Sequence, residues 1–257
     1  KNSPVEIIRI ACHFHQFDAA LSAGEILKNL GYSVGVNLMQ IGDRSPDEIK
    51  SASRKLGNSS IDVFYFADSL GNLKVADVDS IIKSIKSEWN GDIGIHAHDN
   101  MNLALSNSIS AIDKGVSWVD STITGMGRGA GNTKTELLSL EIARLRSSEP
   151  NLGSLMALIE RDFLPLQNEY KWGSSPYYYL SGMYGVHPTY VQQMLSDTRY
   201  ADEDIIVALD HLKNVGAKQY SESELGVARN FYNGKPRGSW SPKKIMKDRD
   251  IFLIGPG

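Results

Sequence analysis

Two histidines one residue apart, His96-Ala97-His98, followed by Asp99-Asn100, carry the sharpest chemical signal in the chain. Alternate residues of an extended strand share a face, so two imidazoles would stand side by side there. In their neutral form such rings bind divalent metal ions, which makes His96 and His98 candidate ligands. The competing reading, two rings satisfied by hydrogen bonds, stays open on spacing alone. A second signal is the run Gly125-Met126-Gly127-Arg128-Gly129-Ala130-Gly131-Asn132. Its glycines fall at alternate positions, unlike the G-x-G-x-x-G spacing of dinucleotide-binding turns. A loop without side chains lets backbone amides approach an anion, with Arg128 adding a charge and Asn132 an amide. Asp68 and Ser69 close the apolar run Val63 to Ala67, where Asp68 either caps the following turn or orients a ligand. His13, beside Phe14, is a candidate acid–base group or a structural histidine.

Positioning these groups is the task of a repeating pattern. Apolar, β-rich runs begin at Ile7, Val34, Val63, Ile93 and Trp118, spacings of 25 to 30 residues, the pitch of βα units. Amphipathic stretches lie between them, at 19–30, 46–56, 75–87, 103–114 and 133–145, three of them followed by glycine (Gly31, Gly57, Gly115) where a helix C-terminus favours it. Strands apolar on both faces and separated by helices predict a parallel sheet and an α/β fold. Polar residues sit at the C-terminal end of every strand: His13 and His15, Gln40, Asp68 and Ser69, His96 and His98, and Thr124. An open sheet gathers its site at one switch point, whereas a (β/α)8 barrel gathers all its strand ends at one mouth, so the pattern favours the barrel. Five units are three short of eight, and the three would take roughly 85 residues in a typical barrel; the visible strands would then be the fourth to the eighth.

The rhythm changes near residue 150. Helical patterns at 152–170, 177–184, 188–196 and 203–215 predict a helical appendage over 151–232, in which the consecutive Tyr177-Tyr178-Tyr179 pack rather than bind a cofactor. Residues 233–257 are basic and turn-rich and then reach Ile251-Phe252-Leu253-Ile254-Gly255-Pro256-Gly257, which reads as a linker with either a tail strand or the first strand of a fused further domain. The expected division is thus 1–150, 151–232 and 233–257. With 27 Lys and Arg against 30 Asp and Glu, the net charge of -3 gives no footprint for nucleic acid or anionic lipid. The single cysteine, Cys12, closes no internal disulfide, the apolar runs are far shorter than a membrane span, and Lys1-Asn2-Ser3-Pro4 lacks a signal-peptide core. A cytoplasmic protein is expected, with a homo-oligomer left open.

The run from Ile93 to Ala104, taken with the run from Asp120 to Asn132, resembles the HMG-CoA lyase-like metal-dependent (DRE-TIM metallolyase) superfamily, most closely its 4-hydroxy-2-oxo acid aldolases. Ile8 to His13, Val36 to Met39 and Ala67 to Gly71 fall where that family has its fourth, fifth and sixth strands, and the likeness is strong over residues 6–145 and weak to 196. The resemblance implies a TIM barrel that binds Mn2+ or Mg2+ and a small 2-oxo acid substrate, and breaks or forms a carbon–carbon bond through a pyruvate enolate. His96 and His98 match its two histidine ligands, and Ser69 matches a pyruvate-contacting position. Asn132 matches a loop residue that is a ligand in the lyases and lies behind the ligands in the aldolases. With His13 as catalytic candidate and Asp68 and Arg128 as further substrate contacts, this completes the expected site. The family's third ligand, an Asp, and its enolate-steadying Arg belong to a first-strand motif that these residues do not contain, and Gly173 stands where some aldolases have a Tyr. Two alternatives remain: an acyl-CoA condensing enzyme resembling isopropylmalate or homocitrate synthase, and a non-catalytic barrel module of a larger protein.

Overall fold

The computed structural model describes residues 4–150 and 152–230. The chain divides into two compact units. The first takes the chain up to Ser69, Leu73–Ala97 and Ser106–Asp120; the second takes Leu70–Asn72, His98–Leu105 and the chain from Ser121 onward.

The first unit is built on a parallel five-stranded sheet in sequential order: β1 (Ile7–Cys12), β2 (Ser33–Leu38), β3 (Val63–Asp68), β4 (Asp92–Ala97) and β5 (Trp118–Val119). Helices α1 (Phe17–Asn29), α2 (Pro46–Leu56), α3 (Val75–Lys86) and α4 (Ala104–Asp113) connect the strands, close to the spans that periodicity predicts. α2 starts at a reciprocal cap: Ser45 Oγ accepts from the Glu48 N–H at 3.3 Å, and the Glu48 carboxylate accepts from the Ser45 N–H at 2.8 Å. Gly31 and Gly115 take the left-handed conformation after their helices, but Gly57 stays right-handed (φ -58°), so its backbone conformation does not require glycine.

Register gives the two faces of the sheet different characters. Val36, Phe64 and Ile93 are successive cross-strand partners, as are Phe66 and Ile95, and all five are buried against the helices. The opposite face carries Arg9, Asn37, Tyr65 and His96. The expectation of strands apolar on both faces therefore holds for one face only. β5 is also shorter than the expected 118–123. The Thr122 N–H donates to the Thr133 carbonyl rather than to β4, and the Thr135 N–H returns to the Thr122 carbonyl, so the chain leaves the sheet at this point.

The second unit is helical: α5 (Thr135–Leu145), α6 (Gly153–Leu158), α7 (Leu164–Tyr170), α8 (Pro176–Tyr184), α9 (Pro188–Ser196), α10 (Asp202–Asn214) and α11 (Glu222–Asn230). The single helix expected over 152–170 is interrupted by a π turn at Ile159–Phe163, because Pro165 has no N–H to offer the preceding turn and its ring crowds that turn's carbonyl. The last helix, α11, has no counterpart in the sequence reading. Tyr190, Val191, Met194, Leu209 and Leu212 form the fully buried centre of the unit, with Tyr178 packed against them while Tyr179 remains partly exposed. The predicted linker and strand at 233–257 lie outside the described residues.

One ion pair in this unit sets an acid limit on its stability. Asp197 is only 9% exposed and accepts from the Arg199 N–H at 3.0 Å and from its Nε at 2.8 Å. The guanidinium holds the carboxyl below the usual carboxylate range, outweighing the cost of burial. The stabilisation is therefore present above the ordinary carboxylate pKa of about 4 and lost as pH falls through the lowered folded-state value. Asp197→Asn is expected to lose about 2 kcal/mol at neutral pH. In urea titrations at successive pH values, that difference should shrink as pH falls below the ordinary carboxylate range.

Candidate active site

In the first unit, the polar face of the sheet holds a network around Asp120, the residue after β5. The Arg9 guanidinium of β1 donates from Nη1 to both Asp120 oxygens, at 2.8 and 2.6 Å. His96 of β4 places Nδ1 2.7 Å from Asp120 Oδ2. The Arg9 guanidinium also lies over the Tyr65 ring, 4.4 Å from its centroid. Tyr65 lies flat because its neighbours lack side chains: a Cβ on Gly94 would sit 2.2 Å from the ring, and one on Gly35 3.3 Å. β1 and β5 are the outer strands of this sheet. Were it flat, four interstrand steps would separate them by about 19 Å, farther than an arginine and an aspartate can span together. The Arg9–Asp120 contact therefore requires a strongly curved sheet with this polar face inside.

The electrostatics follow from the geometry. Burial pushes the Asp120 carboxyl up, but the His96 hydrogen bond and the Arg9 charge outweigh it and hold the carboxyl below its ordinary range. Burial and the nearby Asp120 charge push the Tyr65 hydroxyl up to about 12, so it stays protonated. A carboxylate only accepts, so the ring proton of His96 belongs on Nδ1 and the lone pair on Nε2. That is the tautomer of an imidazole metal ligand. In donor chemistry His96 thus fits a divalent cation. Among the described residues, no group of three or more His, Cys, Asp or Glu side chains is arranged to hold one.

The other predicted residues of this unit lie at strand ends. Ser69 Oγ accepts from the backbone N–H of Gln40 at 2.9 Å and so supports a buried residue in left-handed conformation (φ 54°). Asp68 is buried and accepts from the Leu73 N–H at 3.2 Å, the turn-capping role weighed for it. His13 follows β1, half-buried, with its ring stacked on His15 at 5.8 Å.

In the second unit, His98 is buried and pairs with Asn132 through an isolated antiparallel bridge. The structure thus brings one predicted ligand beside the predicted loop residue. The glycine run is a compact turn with Gly125, Gly129 and Gly131 at positive φ. The Asn132 N–H donates to the Gly125 carbonyl and the Gly131 N–H to the Arg128 carbonyl, so these amides serve the loop itself. A Cβ on Gly131 would lie 2.1 Å from the Gly125 carbonyl oxygen. Arg128 donates to Thr189 Oγ1 at 3.1 Å and lies 3.2 Å from His187 Nε2 at the start of α9. Helices of this unit grip the loops: Trp172 Nε1 donates to the Thr124 carbonyl, and the Gly173 N–H to the Gly129 carbonyl. Asn100 Nδ2 donates to Ser181 Oγ of α8 at 3.3 Å. Asp99 accepts from the Ala104 N–H, though burial still raises its carboxyl above the usual range.

Sequence reasoning found His96 but missed Arg9, Tyr65 and Asp120. A charged residue inside an otherwise apolar run, Arg9 between Ile8 and Ile10, is the signal that was available.

The chain matches the HMGL-like family model over residues 8–160. It is 28% identical over 217 residues to 4-hydroxy-2-oxovalerate aldolase of Carboxydothermus hydrogenoformans, covering 83% of this chain and 65% of that protein. The protein of the same name from Geobacillus genomosp. 3 is 32% identical over 145 residues, covering 56% of this chain and 43% of its own length. Among solved structures, the N-terminal domain of a candidate aldolase from Bacteroides vulgatus superposes with a TM-score of 0.69 at 33% identity, covering 79% of this chain and 66% of that one. The chain therefore spans about two thirds or less of the relatives it matches.

Proposed function

Because the chain belongs to the HMGL-like family, we propose that it is part of a divalent-metal-dependent carbon–carbon lyase that cleaves a 4-hydroxy-2-oxo acid to pyruvate and an aldehyde, or joins them. The observation that carries this reading is the His96–Asp120 hydrogen bond at 2.7 Å, which gives a histidine of the family motif the tautomer of a metal ligand. The curved five-stranded sheet then belongs to a (β/α)8 barrel. On their spacing in the sequence, His96 and His98 are the imidazole ligands of Mn2+ or Mg2+. When bound, the cation supplies positive charge that stabilises an enolate.

Bond cleavage needs a proton removed from the C4 hydroxyl as the C3–C4 bond breaks and its electron pair moves toward the 2-oxo oxygen. We assign that proton to His13, at the end of β1. Ser69 and Asp68 at the end of β3, and Arg128 and Asn132 of the glycine loop, are assigned to holding the 2-oxo acid. The Ser69 hydroxyl already accepts one hydrogen bond and has its own proton to give to a substrate oxygen.

The test uses the intact gene product, with pyruvate release coupled to lactate dehydrogenase across 4-hydroxy-2-oxo acids of several lengths. Pyruvate release is expected, and a chelator should abolish it until Mn2+ is restored. Activity indifferent to chelator would sink the metal reading, and no pyruvate across the panel would sink the aldolase reading.

A further inference from the structure

Asp120 interacts with two partners of different kinds. Arg9 can only donate, and His96 presents one ring nitrogen that donates or accepts according to tautomer. Both reach the same carboxylate oxygen, Oδ2, Arg9 at 2.6 Å from β1 and His96 at 2.7 Å from β4. His96 and Asp120 have side chains only 12% and 15% exposed, so water competes weakly for these bonds. We propose that Asp120 is a positioning residue that fixes His96 in its Nδ1–H tautomer, and that Arg9 in turn fixes which way the Asp120 side chain presents its oxygens. The metal consequence of this inference rests on the reading of His96 as a ligand; the tautomer itself does not.

Asp120→Leu makes the proposal testable. The branched shape is nearly kept, but nothing at that position accepts a hydrogen bond. Without the carboxylate oxygen that His96 Nδ1 meets at 2.7 Å, nothing holds the proton there, and the neutral ring takes the Nε2–H form that imidazole side chains favour in water. A role in packing alone would leave the tautomer unchanged.

The experiment is 15N–1H correlation of the histidine ring nitrogens in the metal-free intact protein at pH 8, with His96 assigned by its loss in His96→Gln. Wild type is expected to show His96 protonated on Nδ1 and Asp120→Leu to show it protonated on Nε2. Calorimetric titration with Mn2+ should then show an affinity at least tenfold weaker in Asp120→Leu. An Nε2–H tautomer in wild type would overturn the proposal without any variant. So would an unchanged tautomer in folded Asp120→Leu. If His96→Gln binds Mn2+ as wild type does while the tautomer switches as expected, the ligand reading fails and the positioning role stands.

Discussion

Replacing His96 and His98 together with alanine is expected to strip the intact protein of stoichiometric metal and lower chelator-sensitive turnover about a thousandfold or more, roughly 4 kcal/mol of barrier. The size follows from the work assigned to the cation. A charge opposite a developing enolate acts more strongly in the transition state than on the bound 2-oxo acid, so most of its loss falls on kcat. Both rings are largely withdrawn from water, His98 being 7% exposed, and alanine at either site leaves the backbone free to keep its pairing. Elemental analysis of the purified variant and a circular dichroism melt separate lost metal from lost fold. Wild-type metal content in the folded double variant would refute the assignment.

The largest expected loss of stability comes from adding one methyl group. In Gly94→Ala the new carbon would lie 2.2 Å from Cδ1 and 2.3 Å from Cε1 of Tyr65. The ring has little room to withdraw, since the Arg9 guanidinium covers it and the Gly35 backbone lies beneath its other edge. Either β4 shifts against β3 or Tyr65 leaves its rotamer, at a cost of about 3 kcal/mol. The urea midpoint should fall with an unchanged slope. Tyr65→Leu removes the obstruction, so the double variant Tyr65→Leu, Gly94→Ala should be more stable than the sum of the two single effects requires. Additive effects would show that the ring does not set the requirement for glycine.

The legible part of this protein is the part encoded locally. The spacing of apolar runs gave the strands and most helices, because period and caps are properties of neighbouring residues. α2 runs from Pro46 to Leu56 as expected, since Ser45, Pro46 and Glu48 form a complete start signal in four positions. His96 was legible for the same reason. What was not legible depends on residues distant in sequence. That Arg9 reaches Asp120 follows from register across the sheet and from its curvature, neither of which a single strand encodes. The early exit of β5 is decided by Thr133 and Thr135, which draw Thr122 away from β4. The glycine run was read as a surface for a ligand, yet its amides and its positive-φ glycines largely serve the turn's own closure.

The Arg9–Asp120 pair also bears on the order in which the molecule assembles. Its members are 111 residues apart, and the contact exists only after the intervening βα units have formed and curled the sheet. Contacts of such separation carry a large chain-closure entropy and tend to form on the native side of the rate-limiting barrier. An interaction absent from that transition state slows unfolding without hastening folding. The same pair that aims the site would then act as a latch on the finished sheet, lengthening its lifetime rather than guiding its construction.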